Sequence, residues 1–165
     1  MRRENGFSLI ELIIAVAIFA ILAAIATPSF VQMRQNALYR QAAFDVSSML
    51  REARGRTVSE NFEHRVEFLN GGQYQVTRGA LSSGSSTAVG WTLVTGLGPV
   101  TPPNGATITP VGCNPAGGPT PVNVDFNGNG TAGIGCTINI RDAAAANRFS
   151  VTVTQNTGRI RVAAP

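Results

Sequence analysis

Few residues in this chain could carry out chemistry. Among its 165 residues there is one histidine, His64, and there are two cysteines, Cys113 and Cys136. A zinc site needs about four ligands, which these residues cannot supply. A catalytic triad would have to include His64, whose place in an alternating polar and apolar run predicts only an exposed or hydrogen-bonded strand side chain. The sequence therefore predicts no enzyme, no metal site and no cofactor.

The two cysteines could pair with each other. Both Cys113 and Cys136 lie in the second half of the chain, and we expect a disulfide there if this half is outside the cytoplasm. Closing a loop of about 24 residues would stabilise the fold by about 3–3.5 kcal/mol. The alternative is that both are buried free thiols.

The stretch Asp125–Gly130 has the spacing of the first half of a calcium-binding loop. A carboxylate and two amides stand at alternate positions and a glycine follows. The twelfth position is Cys136, where calcium loops have a glutamate, so a single carboxylate remains. Two Asn-Gly pairs are typical of a hairpin turn, which is the interpretation we prefer.

Arg159 and Arg161 form the clearest candidate binding pair. Residues two apart in a strand project from the same face, so both guanidinium groups would lie together and could bind phosphate oxygens. Arg148 and Arg141 could enlarge this patch. The alternative is that the charges protect an edge strand from aggregation. All thirteen basic residues are arginines and the formal net charge is +4, which permits an anionic partner without requiring one.

The elements that carry these residues begin with a long apolar segment. Residues 7–27 contain one charge, Glu11, and a helix of this length spans roughly 31 Å, close to the thickness of a bilayer's hydrocarbon core. Arg2 and Arg3 precede it, so the N-terminus is predicted to be cytoplasmic and residues 59–165 periplasmic. A charge in such a segment costs roughly 2.5–3.5 kcal/mol, and Glu11 should therefore have a partner.

Two alternatives to a membrane anchor with a paired carboxylate exist. A secretory signal peptide cleaved near residues 24–26 would have a shorter apolar region, of about 7–15 residues, and no carboxylate. A plain single-pass anchor with an incidental glutamate is the other alternative. Neither explains the residues at the start of the segment, which are Gly6-Phe7-Ser8-Leu9-Ile10-Glu11-Leu12.

These residues resemble the class III signal of type IV pilins and type II secretion pseudopilins. The resemblance implies that a prepilin peptidase cleaves after Gly6, removing residues 1–6, and that the new amine on Phe7 is methylated. It also implies that Glu11 pairs with the Phe7 amine of a neighbouring subunit, which would neutralise two groups that are each costly in an apolar environment. Other pilins, an inner-membrane assembly platform and membrane lipid are the implied partners.

A second helical segment is predicted at 28–58. Pro28 removes a backbone donor and indicates either a hinge or a boundary between two helices; the resemblance implies a role in filament assembly. An apolar stripe should cover a sheet; it comprises Leu38, Ala42, Val46, Met49 and Ala53. Four arginines lie largely off this stripe and are interpreted as a solvated face, namely Arg34, Arg40, Arg51 and Arg54. Gly55 could mark the end of the helix.

The remaining residues predict a β-rich domain, 59–165. Seven strands are predicted, with Gly71-Gly72 as a hairpin turn between the first two. They are His64–Leu69, Gln73–Arg78, Trp91–Thr95, Val122–Phe126, Cys136–Arg141, Arg148–Thr154 and Arg159–Ala163. The stretch 79–90 should be a mobile loop. The stretch 96–121 contains seven of the nine prolines and should be a long irregular connection.

The last strands and the Gly158-Arg159-Ile160-Arg161 tail resemble the GspH/FimT branch of minor pilins and pseudopilins. The implied fold is α+β, with one long N-terminal helix packed on an antiparallel sheet. The implied function is that of a non-enzymatic subunit of a type IV pilus-like or type II secretion pseudopilus filament, in the periplasm or at the cell surface. Because the same tail is associated with DNA binding in FimT-like minor pilins, non-specific DNA binding during natural transformation is the alternative. An enzyme on a membrane stalk would require an unrecognised site within 79–121.

Overall fold

The computed structural model describes residues 8–82, 90–103, 105–113 and 121–164. Its first element is a helix of 52 residues, α1 (Leu9–Glu60). The two segments predicted on either side of Pro28 belong to this one helix, because a proline removes a single backbone hydrogen bond and a long helix can continue past it. The helix also continues past Gly55, so that glycine does not mark its end.

The chain divides into two compact units, one ending at Ala37 and the other beginning at Leu38. In the first unit, the helix exposes its large apolar side chains on every side, from Leu9 at 76% to Val31 at 48% of their full accessible surface. The second unit contains the hydrophobic core, since every residue of the buried apolar cluster lies between Tyr39 and Val153.

Eight strands follow the helix. They are β1 (Phe62–Phe68), β2 (Tyr74–Ser82), β3 (Thr92–Leu93), β4 (Thr107–Val111), β5 (Val122–Phe126), β6 (Cys136–Arg141), β7 (Asn147–Thr154) and β8 (Arg159–Ala163). They form two four-stranded antiparallel sheets, with strand orders β3-β2-β1-β5 and β4-β6-β7-β8. A 3₁₀ turn at Asn70–Gly72 joins β1 to β2, where the hairpin turn was predicted.

The strand β4 is an element that the sequence did not predict. It lies inside the proline-rich stretch 96–121 and includes Pro110, which pairs with Ile138. Proline has no N–H to donate to a neighbouring strand, but an edge strand has a neighbour on one side only and can therefore contain proline. Strand β4 is an edge strand. Strand β2 likewise extends to Ser82, into the predicted loop 79–90. Residues 83–89, 104 and 114–120 of the two predicted loops lie outside the described residues.

The core joins α1 to both sheets. The buried apolar residues of the helix are Tyr39, Ala42, Ala43, Val46, Leu50 and Ala53. They belong to one cluster with Val66, Val76 and Phe126 of the first sheet and Ile138, Ile140 and Val151 of the second. The buried face of the helix is therefore rotated slightly about the helix axis from the predicted stripe. Leu38 and Met49 of that stripe are only half-buried, whereas Leu50 is fully buried.

A disulfide reinforces the second sheet. It joins Cys113, just after β4, to Cys136, the first residue of β6, with the two Cα atoms 4.6 Å apart. Both cysteines are buried in the core cluster. The bridge therefore holds an edge strand to the sheet at the point where the chain leaves it.

Candidate functional site

The helix surface before Ala37 is a candidate interface. From Leu9 to Met33 it carries one charge, Glu11, whose side chain is exposed. By length and composition this helix, close to the N-terminus, could cross a membrane. Apolar surface of this extent marks a region that lipid or another protein covers. Gly6 and Phe7, the predicted cleavage and methylation residues, lie outside the described residues, and so does the amine predicted to pair with Glu11.

Arg159 and Arg161 lie together on β8, an edge strand of the second sheet. Both side chains are exposed, and their strand neighbours on β7 are Thr154 and Thr152. Ile160 points the opposite way and packs against the core. Within the described part of the chain neither arginine forms an ion pair, so the two guanidinium groups are available to an outside partner.

The structure does not bring Arg141 and Arg148 into this pair. Arg141 lies opposite Asn147, whereas Arg161 lies opposite Thr152, about 16 Å further along β7. Nε of Arg141 donates to Oδ1 of Asn147 at 2.9 Å. The larger predicted patch is therefore two separate features of the second sheet.

Arg148 is also engaged within the chain. Its Nη2 lies 2.7 Å from Oδ2 of Asp142, the residue that follows β6. A backbone hydrogen bond from Ala146, together with Arg148, lowers the pKa of Asp142 below its usual range. The contact closes the turn between β6 and β7, which gives Arg148 a structural role.

Arg54 was predicted to be solvated, but it binds two turns of the β domain. Its Nε donates to the carbonyl oxygen of Gly130 at 2.8 Å and its Nη2 to that of Thr157 at 3.2 Å. Gly158 lies against the same place, with φ of +60°, and a Cβ there would be 2.2 Å from the oxygen of Gly130. The glycine of the Gly-Arg-Ile-Arg tail is therefore required by packing.

His64 is buried in the domain and hydrogen-bonded, so the exposed alternative was wrong. Its Nδ1 lies 3.0 Å from the carbonyl oxygen of Phe62 and, facing an acceptor, must donate. Its Nε2 lies 3.5 Å from the Glu60 carboxylate and has no hydrogen-bond partner in the described residues. Burial is the main cause that lowers the pKa of His64 below 6.5, so the ring is neutral at pH 7.

A polar cavity of about 250 Å³ adjoins His64, with Arg56, Glu60 and Arg78 on its walls. Glu60 lies 3.5 Å from Arg56 and 3.7 Å from Arg78, so its charge is shared between two cations. In the described ranges no three histidine, cysteine or acidic residues approach closely enough to hold a metal ion. We interpret the cluster as the structural junction between the end of α1 and the first sheet.

The stretch Asp125–Gly130 forms a turn that uses its own polar groups. The amide of Gly130 donates to the carbonyl of Asn127 at 2.7 Å. Oδ1 of Asn129 accepts from both the amide and the hydroxyl of Thr131. The stretch therefore forms a turn that its own polar groups stabilise.

Comparisons with known proteins bear on both units. Residues 1–27 match the model of the prokaryotic N-terminal methylation motif. No curated protein sequence matches the chain. Among solved structures, the minor pseudopilin EpsH from the type 2 secretion system of Vibrio cholerae is similar with a TM-score of 0.60, at 14% identity, over 78% of this chain and 96% of that one.

The type IV minor pilin FimU of Pseudomonas aeruginosa is similar with a TM-score of 0.50, at 22% identity, over 80% of this chain and 95% of that one. At these identities the likeness shows the fold: a long N-terminal helix on antiparallel sheets, as the sequence predicted. The chain therefore joins a prokaryotic N-terminal methylation motif to a pilin fold, and is type IV pilin-like in both respects.

Proposed function

We propose that this chain is a structural subunit of a pseudopilus or pilus-like filament, cleaved after Gly6, methylated on Phe7 and assembled through its N-terminal helix. The observation that carries the proposal is the exposed apolar helix from Leu9 to Met33 with Glu11 as its only charge. Before assembly this surface is covered by the inner membrane, with the β domain in the periplasm. In the filament it is covered by the helices of other pilin-like subunits.

The pairing of Glu11 with the Phe7 amine gives this assembly its register. In an apolar environment an unpaired carboxylate and an unpaired amine are both strongly disfavoured, so a neighbouring subunit is bound best where the two meet. Methylation leaves the amine basic and therefore keeps the pair. Of the two filament systems we favour type II protein secretion, because of the likeness to the pseudopilin EpsH.

The test compares Glu11→Gln with the unaltered chain, expressed full length in a cell with its own filament system. We expect equal amounts in the membrane fraction and loss of the variant from sheared filaments, because the amide cannot neutralise the amine. Glu4→Gln is the matched control, since it makes the same change within the segment that cleavage removes. Mass spectrometry should find a methylated Phe7 at the mature N-terminus.

Two results would refute the proposed function. One is a mature chain that keeps residues 1–6 or is trimmed beyond Ala26 and released as a soluble product. The other is the Glu11→Gln variant at normal levels in the filament fraction. A chain that keeps residues 1–6 would have no free Phe7 amine, and a chain trimmed beyond Ala26 would have no anchor. Normal incorporation of Glu11→Gln would remove the role of the charge.

A second candidate function is non-specific binding of DNA, favoured by the exposed pair Arg159 and Arg161. Duplex binding by the full chain in detergent should weaken with salt, and the double variant Arg159→Ala/Arg161→Ala should lower the salt slope by about 2. The matched control is Arg141→Ala/Arg148→Ala, which removes the same charge from engaged positions. Equal binding by both double variants would exclude the Arg159 and Arg161 pair as the DNA contact.

A further inference from the structure

The β domain has a groove beside α1 that no proposed role yet uses, and we call it the Asp45 groove. Its volume is about 420 Å³. Met49 on one side and Leu97 and Val100 on the other are half-buried and pack against the core. Its lining residues are Asp45, Ser48, Met49, Glu52, Tyr74, Leu97 and Val100.

One carboxylate at the rim of this groove is free. Asp45 is exposed and forms no ion pair with the part of the chain that the structure describes. Glu52, about two turns further along the same face of the helix, already binds Nε of Arg56 at 2.8 Å. Burial and the charge of Asp45 raise the pKa of Tyr74 to about 12, so its hydroxyl stays uncharged and the oxygen can accept a hydrogen bond from a cationic group.

This combination suits a cation carried on an aliphatic stem. The apolar walls would cover methylene groups, as they commonly do along the stems of long basic side chains, and Asp45 would pair with the charged end. A guanidinium group fits better than an ammonium group, because it is more weakly hydrated and its fork matches a carboxylate. The groove is therefore suited to an arginine side chain.

The chain itself has two such side chains, Arg159 and Arg161, on the flank of the domain opposite the Asp45 groove. Arg54 is nine residues after Asp45. Nine residues make about two and a half turns of a helix, so the two side chains lie on opposite sides of α1. Arg54 binds the carbonyl of Thr157, in the turn that leads into β8 with Arg159 and Arg161. A basic edge and an acidic groove therefore face away from each other on one domain.

We propose that the Asp45 groove of one subunit binds the Arg159 and Arg161 edge of a second copy of this chain. Two different patches on opposite flanks make a head-to-tail contact, which propagates as an open chain of subunits instead of closing into a pair. An isologous contact through β8 would place arginines opposite arginines, and like charges directly opposite in a sheet are destabilising. The inference rests on the proposed function, because assembly brings the domains together.

The contact can be tested by disulfide crosslinking between two full-length copies with different tags, expressed together in the cell that builds the filament. One copy carries Ser48→Cys at the rim of the groove and the other carries Ala163→Cys, exposed on the same strand as Arg161. We expect a mixed crosslinked dimer. Ser59→Cys is the matched control in place of Ser48→Cys, since it is exposed on the same helix about 16 Å further along; it should give none.

Charge exchange then tests the chemistry of the contact. Asp45→Arg in the first copy should reduce the crosslink at least tenfold, and Arg159→Asp/Arg161→Asp in the second copy should do the same. Combining the two altered copies should restore it, because the charges are complementary again. A crosslink that persists in Asp45→Arg, one that forms equally with Ser59→Cys, or one that joins Ser48→Cys only to a different protein would overturn the inference.

This failure can be distinguished from failure of the proposed function. If the unaltered chain appears in sheared filaments and Glu11→Gln does not, but no crosslink forms, the subunit assembles and only the groove contact is wrong. If the unaltered chain never enters a filament, the proposed function itself falls, and the missing crosslink follows from it.

Discussion

Replacing Gly158 with alanine should destabilise the β domain severely. Gly158 has φ of +60°, and a Cβ there would lie 2.2 Å from the carbonyl oxygen of Gly130. The left-handed conformation costs a non-glycine residue about 1–2 kcal/mol. Relieving the contact must also move the Gly130 turn, which weakens the hydrogen bond from Arg54; bonds to charged donors contribute about 1.5–3 kcal/mol. The expected loss is therefore about 2.5–5 kcal/mol.

The measurement is urea unfolding of the full chain in detergent, with the disulfide intact, followed by the fluorescence of Trp91, the only tryptophan. Gly133→Ala is the matched control, because a Cβ at Gly133 would meet nothing within 4 Å. It should change the free energy of unfolding by less than about 1 kcal/mol, with either sign. A loss below about 1 kcal/mol for Gly158→Ala would refute the close approach of the two turns.

Two further predictions concern His64 and the disulfide. Burial lowers the pKa of His64 in the folded state, so the unfolded chain binds a proton first as the pH falls. The domain is therefore fully stable with respect to this group above about pH 6.5. Below that pH the free energy of unfolding should fall by up to about 1.4 kcal/mol per pH unit. Unfolding at pH 7.5 and pH 5.5 measures this, and His64→Gln should remove the difference; an unchanged difference would show that another group titrates. Cys113→Ser/Cys136→Ser should lower the free energy of unfolding by about 3–3.5 kcal/mol and leave membrane insertion unchanged. A loss under about 1 kcal/mol would contradict the role given to the bridge.

Local patterns in the sequence were sufficient for most elements. The apolar run predicted the start of α1, and short β-like runs predicted seven of the eight strands. Strand β4 was missed because Pro110 argues against a strand, and only the sheet order shows that β4 lies at an edge where proline is tolerated. A single-chain pattern cannot report which strand will be at an edge.

The burial of His64 could have been read from the same alternation. His64, Val66 and Phe68 share one face of β1, and both apolar residues are buried. The pattern therefore placed His64 on the inward face, although its polarity argued for the outward one. In contrast, no local signal identified Arg54, because the carbonyl oxygens that it binds are 76 and 103 residues away in sequence.

The Gly-Arg-Ile-Arg tail shows how a short motif can combine two unrelated requirements. Gly158 is needed because two turns meet at its α carbon, and this need would exist whether or not the chain bound anything. Arg159 and Arg161 have no such role, since within the described residues neither forms an ion pair and both are exposed. A related sequence that keeps the glycine but loses the arginines should therefore keep the fold and lose the contact that they make. The two arginines, and not the motif as a whole, are the part of this tail that an outside partner can select.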